Sequence, residues 1–478
     1  MRIYFIGIGG IGMSGLAQAV LERGADVCGS DAHPSPITRR LQASGARVYA
    51  GHSAQNLLCE KPDLVVASSA IKADNPEIAA ARDAGIPLMS RAEFLGELME
   101  KYSGPRVAVA GTHGKTTTTA MAALVLMEGG LDPTVLVGGD VALFGGNVRV
   151  GGGEAFVTEA CEAFDSFLHI PGHIRIITNI EPDHLDYFGS VERLYQSFRA
   201  FALGRRVGGG GCVVACSDDA GALGLAASLG GECRLVLYGL DASEARGATL
   251  ACAYALAARN VTLSRAGSSF EAVRLVEGSV QDRACVELHV PGVHNVRNGL
   301  AALAAGIEAG VPMDVAARAL GRFSGVERRF EVLGEAGEVV VVDDYAHHPT
   351  EISATLAAAR QVYPHRRIVA VFQPHLYSRT RDFMEGFADV LAGFDAVIIT
   401  EIYAAREEPI PGVSSRLLVQ RLAERAPEKT VLYASGLADA AATLREITRD
   451  GDVVLTIGAG DVREVGITYL GHRVRDRA

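Results

Sequence analysis

The stretch Val107-Ala108-Val109-Ala110-Gly111-Thr112-His113-Gly114-Lys115-Thr116-Thr117 decides how the rest of the chain is read. Four small apolar residues form a strand, glycines at 111 and 114 make a tight turn, and Thr116 opens a helix running to Glu128. A strand, glycine turn and helix start in that order form a phosphate-binding loop. Backbone N–H groups of the turn and of the helix N-terminus point at phosphate oxygens, Lys115 adds a compact positive charge, and the Thr116 hydroxyl can reach a metal ion. The strict pattern G-x-x-x-x-G-K-[ST] fails at its first position, where Val109 stands, but its context is intact. Gly111, Thr112, His113, Gly114, Lys115, Thr116 and Thr117 are therefore the expected phosphate cradle, and they predict ATP as the nucleotide.

Such a loop needs a carboxylate for Mg²⁺, usually from the end of a neighbouring strand. Ala155-Phe156-Val157-Thr158-Glu159-Ala160-Cys161-Glu162 supplies two, with Glu159 the first choice. Further on, Thr178-Asn179-Ile180-Glu181-Pro182-Asp183-His184-Leu185-Asp186 follows an apolar strand, and loops after strand C-termini are where open α/β sheets bind ligands. Thr116, Glu159 and His184 are the expected metal ligands.

Outward from the loop, the chain alternates short apolar strands with amphipathic stretches. Upstream strands are expected at Ile3–Ile8, Ala25–Gly29, Leu64–Ser68 and Pro87–Met89, which implies a parallel sheet flanked by helices. Tyr102-Ser103-Gly104-Pro105 reads as a linker, because glycine and proline break both periodicities. Downstream strands fall near Ala155–Glu159, Ile174–Thr178, Cys212–Cys216 and Leu235–Leu237; alternating patterns from about Ala248 to Val290 predict antiparallel strands at one edge, and a helix closes the region at Val296–Gly310. Past Gly325 a third series follows at Val339–Asp343, Ile368–Val371, Ala396–Thr400, Val431–Tyr433 and Val453–Ile457. Gly208–Gly211 is expected to be a mobile loop. With 478 residues and roughly 150 per domain, the expected fold is α/β in three domains. These are a Rossmann-like domain over 1–103, a central P-loop domain over 104–324 and a Rossmann-like C-terminal domain over 325–478.

Composition bounds the partners. A net charge of -11 without a Lys/Arg block leaves no electrostatic footprint for nucleic acid or an anionic membrane. No apolar run reaches the ~18 residues of a membrane span, and Met1 leads straight into a strand without a cleavable signal, so the cytoplasm is the expected location. The eight cysteines form no C-x-x-C pair; reduced, mostly buried thiols are expected.

At the N-terminus, Gly7-Ile8-Gly9-Gly10-Ile11-Gly12-Met13-Ser14-Gly15 follows a strand and precedes Asp31. Alone it is the fingerprint of an NAD(P)-binding fold. Its physical content is only that a pyrophosphate meets a helix N-terminus, and UDP-sugars carry a pyrophosphate too. A phosphate loop downstream has no purpose in a simple dehydrogenase.

These motifs, with His294-Asn295-Val296-Arg297-Asn298, Asp343-Asp344-Tyr345-Ala346-His347-His348-Pro349-Thr350-Glu351 and Phe372-Gln373-Pro374-His375-Leu376-Tyr377-Ser378-Arg379-Thr380-Arg381, stand in the order found in the Mur ligases, which the sequence resembles over nearly its whole length. The nearest resemblance is to members that join L-alanine to UDP-N-acetylmuramate. It implies UDP-sugar in the first domain, ATP and Mg²⁺ in the second and the amino acid in the third, with an acyl-phosphate intermediate. Gly9, Gly10, Gly12, Ser14, Asp31 and Ser69 would then face the UDP-sugar. Asn295 would contact adenine, with Arg328 or Arg329 and Asp344 approaching the nucleotide. His375 and Arg379 would face the reacting groups, and His348, Arg379 and Arg381 the amino acid. Leu376 and Ala346 replace an Arg and a Gly of some relatives, and Cys161 an Asp, so contacts through those side chains are not carried over and Cys161 is read as packing. A preformed peptide is the alternative acceptor. A monomer or weak homodimer is expected.

Overall fold

A computed structural model describes residues 1–68, 70–204, 211–241, 252–405 and 407–475. Ser69 and most of the Gly208–Gly211 segment lie outside the described residues. Residues 1–261, 270–287 and 296–324 form one compact unit, and residues 262–269, 288–295 and 325–478 a second.

The described strands form three sheets, each with helices on its flanks. In the first, Arg2–Ile6, Asp26–Asp31, Arg47–Ala50, Leu64–Ala67 and Leu88–Ser90 (β1 to β5) run parallel in the order β3-β2-β1-β4-β5. The innermost strand is apolar on both faces: Ile3, Tyr4, Phe5 and Ile6 are fully buried, as a doubly wound parallel sheet demands. The order reverses between β1 and β4, so the crevice beyond their C-terminal ends receives the Gly7–Gly12 turn. β3 escaped the sequence reading because it is an edge strand with no buried residue and no apolar run.

The central sheet contains Arg106–Ala110, Thr134–Val141, Gly146–Arg149, Phe156–Glu159, Ile174–Ile177, Cys212–Cys216, Arg234–Gly239, Tyr254–Ser264, Gly267–Val276 and Ser279–Leu288 (β6 to β15). Their order is β15-β14-β13-β12-β11-β10-β6-β9-β7-β8. β6 lies between β10 and β9, parallel to both, which brings three strand C-termini side by side. The helix Lys115–Glu128 packs Ala120 to Leu126 in unbroken burial, the mark of a helix wrapped on all sides rather than an amphipathic one. The antiparallel pair β7–β8 was not foreseen, because Gly138 and Gly139 interrupt its alternation.

Tyr102-Ser103-Gly104-Pro105 is not a free linker. Tyr102 is buried edge-on against Phe156, and Gly104 N–H donates to the Glu154 carbonyl at 2.9 Å. The first domain is further tied down by Asn147, whose Nδ2 donates to the Ile11 carbonyl at 2.8 Å, at the start of the helix Ile11–Glu22.

The second unit holds Glu331–Ala336, Val339–Asp344, Ile368–Phe372, Ala396–Ile399, Thr430–Tyr433 and Val453–Ile457 (β16 to β21) in the order β16-β17-β21-β18-β19-β20. All neighbours are parallel except β16, an antiparallel edge strand with a bulge at Val332/Gly334. Phe372, Phe387, Leu391, Val453 and Leu455 centre its core. All eight cysteines are free; Cys28, Cys212 and Cys216 are buried, but Cys59 and Cys285 are exposed, which corrects the expectation of mostly buried thiols.

Candidate functional site

The loop after β6 is built by its neighbour β10. Gly111 has φ +132°, and a Cβ there would stand 2.1 Å from Thr178 Oγ1, so only glycine fits both the conformation and the space. Thr178 Oγ1 donates to the His113 carbonyl at 2.6 Å. Asn179 grips the same residue twice: its Oδ1 accepts from His113 N–H at 2.7 Å and its Nδ2 donates to the His113 carbonyl at 3.1 Å. Thr112 and Glu181 are likewise tied, Glu181 N–H donating to Thr112 Oγ1 at 2.9 Å. The start of the Thr178–Asp186 motif thus shapes the loop.

Lys115 begins the helix and turns back over the turn. Its ammonium donates to the Thr112 carbonyl at 3.0 Å and to both oxygens of Glu162 at 3.1 and 3.0 Å. Burial, the largest single influence, pushes the ammonium's pKa down; the charge and hydrogen bond of Glu162, together with Cys161 and Glu159, outweigh it, and the net direction is up. The Cys161 thiol beside it is pushed up by burial, then by the Glu162 charge.

The two carboxylates of the β9 end therefore divide. Glu162 is buried on Lys115, while Glu159 accepts from Gly138 N–H at 2.5 Å and remains partly exposed. Thr116 is buried at the first turn of the helix. His184 sits at φ +54° and caps Leu185–Phe188. Its Nε2 is 3.8 Å from Asp183 Oδ2. The nearby segment 163–165 carries two further left-handed residues, Phe164 at φ +57° and Asp165 at φ +56°. Asp165 holds Tyr187 Oη at 3.0 Å and also accepts from the Ser197 hydroxyl, locking the β9 loop to the β10 loop. Sequence reading missed this hub, because nothing local marks Asp165 as anything but a polar turn residue.

In the first domain, Gly9 N–H donates to Asp31 Oδ2 at 2.8 Å, and a Cβ on Gly9 would meet that oxygen at 2.8 Å. Asp31 thus shapes the glycine turn from the end of β2. Gly10 caps the helix Ile11–Glu22 with its backbone, whereas the Ser14 hydroxyl donates to the Ile11 carbonyl inside that helix. Beneath this end of the sheet, Glu77 is fully buried and collects Tyr4 Oη at 2.7 Å, Ser30 Oγ at 2.5 Å and Ser53 N–H at 3.2 Å, with His52 Nδ1 at 3.0 Å.

In the second unit, polar groups gather at the C-terminal ends of β17, β18 and β21. Asp344 accepts from Phe330 and Ala346 N–H groups at 3.0 and 2.9 Å, and burial raises its pKa to about 6. Arg328 donates to Asp343 at 3.2 Å and to the Gly458 carbonyl at 2.8 Å, its guanidinium over the Tyr345 ring; Arg329 faces the same ring and Glu351. His348 caps the helix Pro349–Val362 through a capping box with Glu351. His347 packs edge-on against His375, which stacks on Tyr403, and burial pushes the His347 pKa down. Arg379 is buried with Nη1 3.4 Å from His375 Nδ1. Arg381, by contrast, is exposed and paired with its neighbour Asp382 at 2.7 Å. Asn295 Nδ2 donates to the Pro291 carbonyl at 2.7 Å.

A glycine loop on a Rossmann-type sheet, a phosphate loop on a second sheet and an Arg/His-rich end on a third define a nucleotide-dependent ligase architecture. The chain belongs to the Mur ligase family. Family models match in succession: the catalytic domain over residues 2–103, the middle domain over 109–306 and the glutamate ligase domain over 328–460. Among curated relatives, the UDP-N-acetylmuramate--L-alanine ligase of Caldanaerobacter subterraneus subsp. tengcongensis is 45% identical over 98% of this chain and 97% of its own. That of an Anaeromyxobacter species is 45% identical over the same shares. Of solved structures, the UDP-N-acetylmuramate-alanine ligase MurC of Thermotoga maritima aligns with a TM-score of 0.79 at 31% identity, covering 100% of both chains. A murein peptide ligase of Psychrobacter arcticus aligns at 0.71 and 26% identity over 99% of this chain and 98% of its own.

Proposed function

We propose that the protein is an ATP-dependent ligase that joins L-alanine to the lactyl carboxylate of UDP-N-acetylmuramate through an acyl phosphate, in the cytoplasm. One observation carries this reading: a Lys115 phosphate loop, held beside the Glu159–Glu162 carboxylates, in a chain that matches L-alanine ligases from end to end at 45% identity.

A free carboxylate is a poor electrophile, because its negative charge and resonance repel an amine. Phosphorylation removes both obstacles. The lactyl carboxylate oxygen attacks the γ-phosphorus of ATP, the bond to the bridging oxygen breaks, and ADP leaves. The neutral amine of L-alanine then attacks the acyl carbon, forming a tetrahedral oxyanion that collapses with loss of inorganic phosphate and the amine proton. Amides of Gly111 to Thr117 and the Lys115 ammonium hold the phosphates and face the charge that develops on them. Thr116 and Glu159 offer hard oxygen donors, which suit Mg²⁺, and His184 would complete its surroundings. Bound there, the ion would neutralise phosphate charge. Gly9, Gly10 and the Ile11–Glu22 helix N-terminus suit the UDP pyrophosphate. Asn295, Arg328 and Asp344 are assigned to the nucleotide, and His348, His375, Arg379 and Arg381 to the amino acid and the reacting carboxylate.

The test is ADP release from ATP with UDP-N-acetylmuramate, in the presence and absence of L-alanine, together with detection of the amide. Lys115→Ala should abolish ADP release while leaving UDP-sugar binding unchanged. ADP release without dependence on the sugar, or a tripeptide used in preference to L-alanine, would overturn the assignment.

A further inference from the structure

We propose that Glu162 is the positioning residue of the phosphate loop, holding the Lys115 ammonium in place until phosphate oxygens share it. The inference rests on the reading of this loop as the ATP site.

An ammonium has three N–H donors and no acceptor. In Lys115 they are directed at the carbonyls of Gly111 and Thr112 and at the Glu162 carboxylate, which is approached almost equally by both its oxygens, 3.1 and 3.0 Å from Nζ. The Glu162 side chain is only 3% exposed and that of Lys115 15%. Two such desolvated charges persist together or not at all, since either alone would be buried without compensation. The acceptors differ in what an incoming phosphate does to them. The loop carbonyls are neutral and belong to the turn that must open its amides to phosphate, so their bonds to Nζ are the ones exchanged. Glu162 lies outside the turn, three residues past β9 at the start of the helical segment Ala163–His169, and its charge keeps one N–H direction occupied. The other two are thereby aimed at the phosphate side.

Glu162 also carries a built-in opposition: its negative charge repels phosphate. It therefore weakens ground-state nucleotide binding while fixing the lysine for the transferring γ-phosphoryl group. Removing the charge should accordingly separate turnover from binding, which a purely structural contact would not do. Glu159, held instead by Gly138 N–H, is the carboxylate left to the metal.

The test uses the full chain with ATP, UDP-N-acetylmuramate and L-alanine. Glu162→Gln should lower kcat about 10- to 100-fold, the scale of a misplaced catalytic group, with KM for ATP unchanged or lowered. Glu162→Asp keeps the charge but retracts it by one methylene, and should lower kcat less while leaving the melting temperature near that of the parent. In a Lys115→Met background, where the Glu162 charge faces phosphate without its counter-ion, Glu162→Gln should raise affinity for a non-hydrolysable ATP analogue by more than it does with Lys115 present. A kcat retained in both Glu162 variants, or the same change of analogue affinity on Glu162→Gln with and without Lys115, would overturn the role of Glu162 alone. Failure of the unmodified chain to bind ATP would instead overturn the proposed function, and this inference with it.

Discussion

Replacing Gly111 by alanine tests the geometry of the phosphate loop directly. Two separate penalties are legible. At φ +132° an L-residue is strained, by about 1–3 kcal/mol. The new Cβ also falls 2.1 Å from Thr178 Oγ1 and 3.0 Å from both Asn179 N and Asn179 O. Thr178 cannot yield freely, because its hydroxyl donates to the His113 carbonyl at 2.6 Å. Forcing an atom into packed surroundings adds about 1–3 kcal/mol. Together the substitution should cost about 2–6 kcal/mol, divided between global stability and the loop's binding competence. Urea denaturation measures the first part and titration with a non-hydrolysable ATP analogue the second; if the whole penalty fell on the loop, affinity would drop at least about 25-fold at 1.4 kcal/mol per decade. The double variant Gly111→Ala/Thr178→Ala relieves the overlap but not the strain, and should recover part of the loss. A Gly111→Ala protein whose unfolding midpoint and analogue affinity both match the parent would refute the reasoning.

Other consequences follow from buried polar groups. Glu77→Ala leaves Tyr4, Ser30 and Ser53 N–H without the acceptor they share in the first domain. It should destabilise the protein by about 3–5 kcal/mol, read as a lower urea midpoint; a change below about 1 kcal/mol would contradict the network. Asp344 is raised by burial to about 6. An acid whose pKa rises on folding contributes stability that is complete below its unfolded value and is lost as pH climbs through its folded one. Stability should therefore fall between about pH 4 and pH 6, and Asp344→Asn should flatten that slope in urea midpoints taken across the window; an unchanged slope would assign it elsewhere. Asp165 combines φ +56° with bonds to Tyr187 and Ser197. Asp165→Ala should lose about 1–3 kcal/mol, and Asp165→Gly, which is relaxed at that φ, about 1 kcal/mol less. Equal melting losses for the two would rule out backbone strain there.

What the sequence by itself determined was whatever chemistry writes locally. Strand, turn and helix around Gly111–Lys115 were readable because glycine positions and an apolar run are properties of adjacent residues. The same holds for the Gly7–Gly12 turn and for buried strands such as β1, β6 and β18, whose continuous apolar composition follows from burial on both faces. The three-domain α/β organisation followed from their alternation. The tertiary structure decided what depends on partners distant in the chain. Whether Glu159 or Glu162 reaches Lys115 is set by how β9 ends beside β6, and the order of two carboxylates in a segment carries no trace of that. Thr178 and Asn179 shape a loop more than sixty residues upstream only because β10 pairs with β6. Arg379 and Arg381 have the same chemistry and lie two residues apart on one short helix, yet one is buried beside His375 and the other lies exposed on Asp382. β3, β8 and β16 are edge strands, half in solvent, and so lack the hydrophobic signature that made their buried neighbours visible.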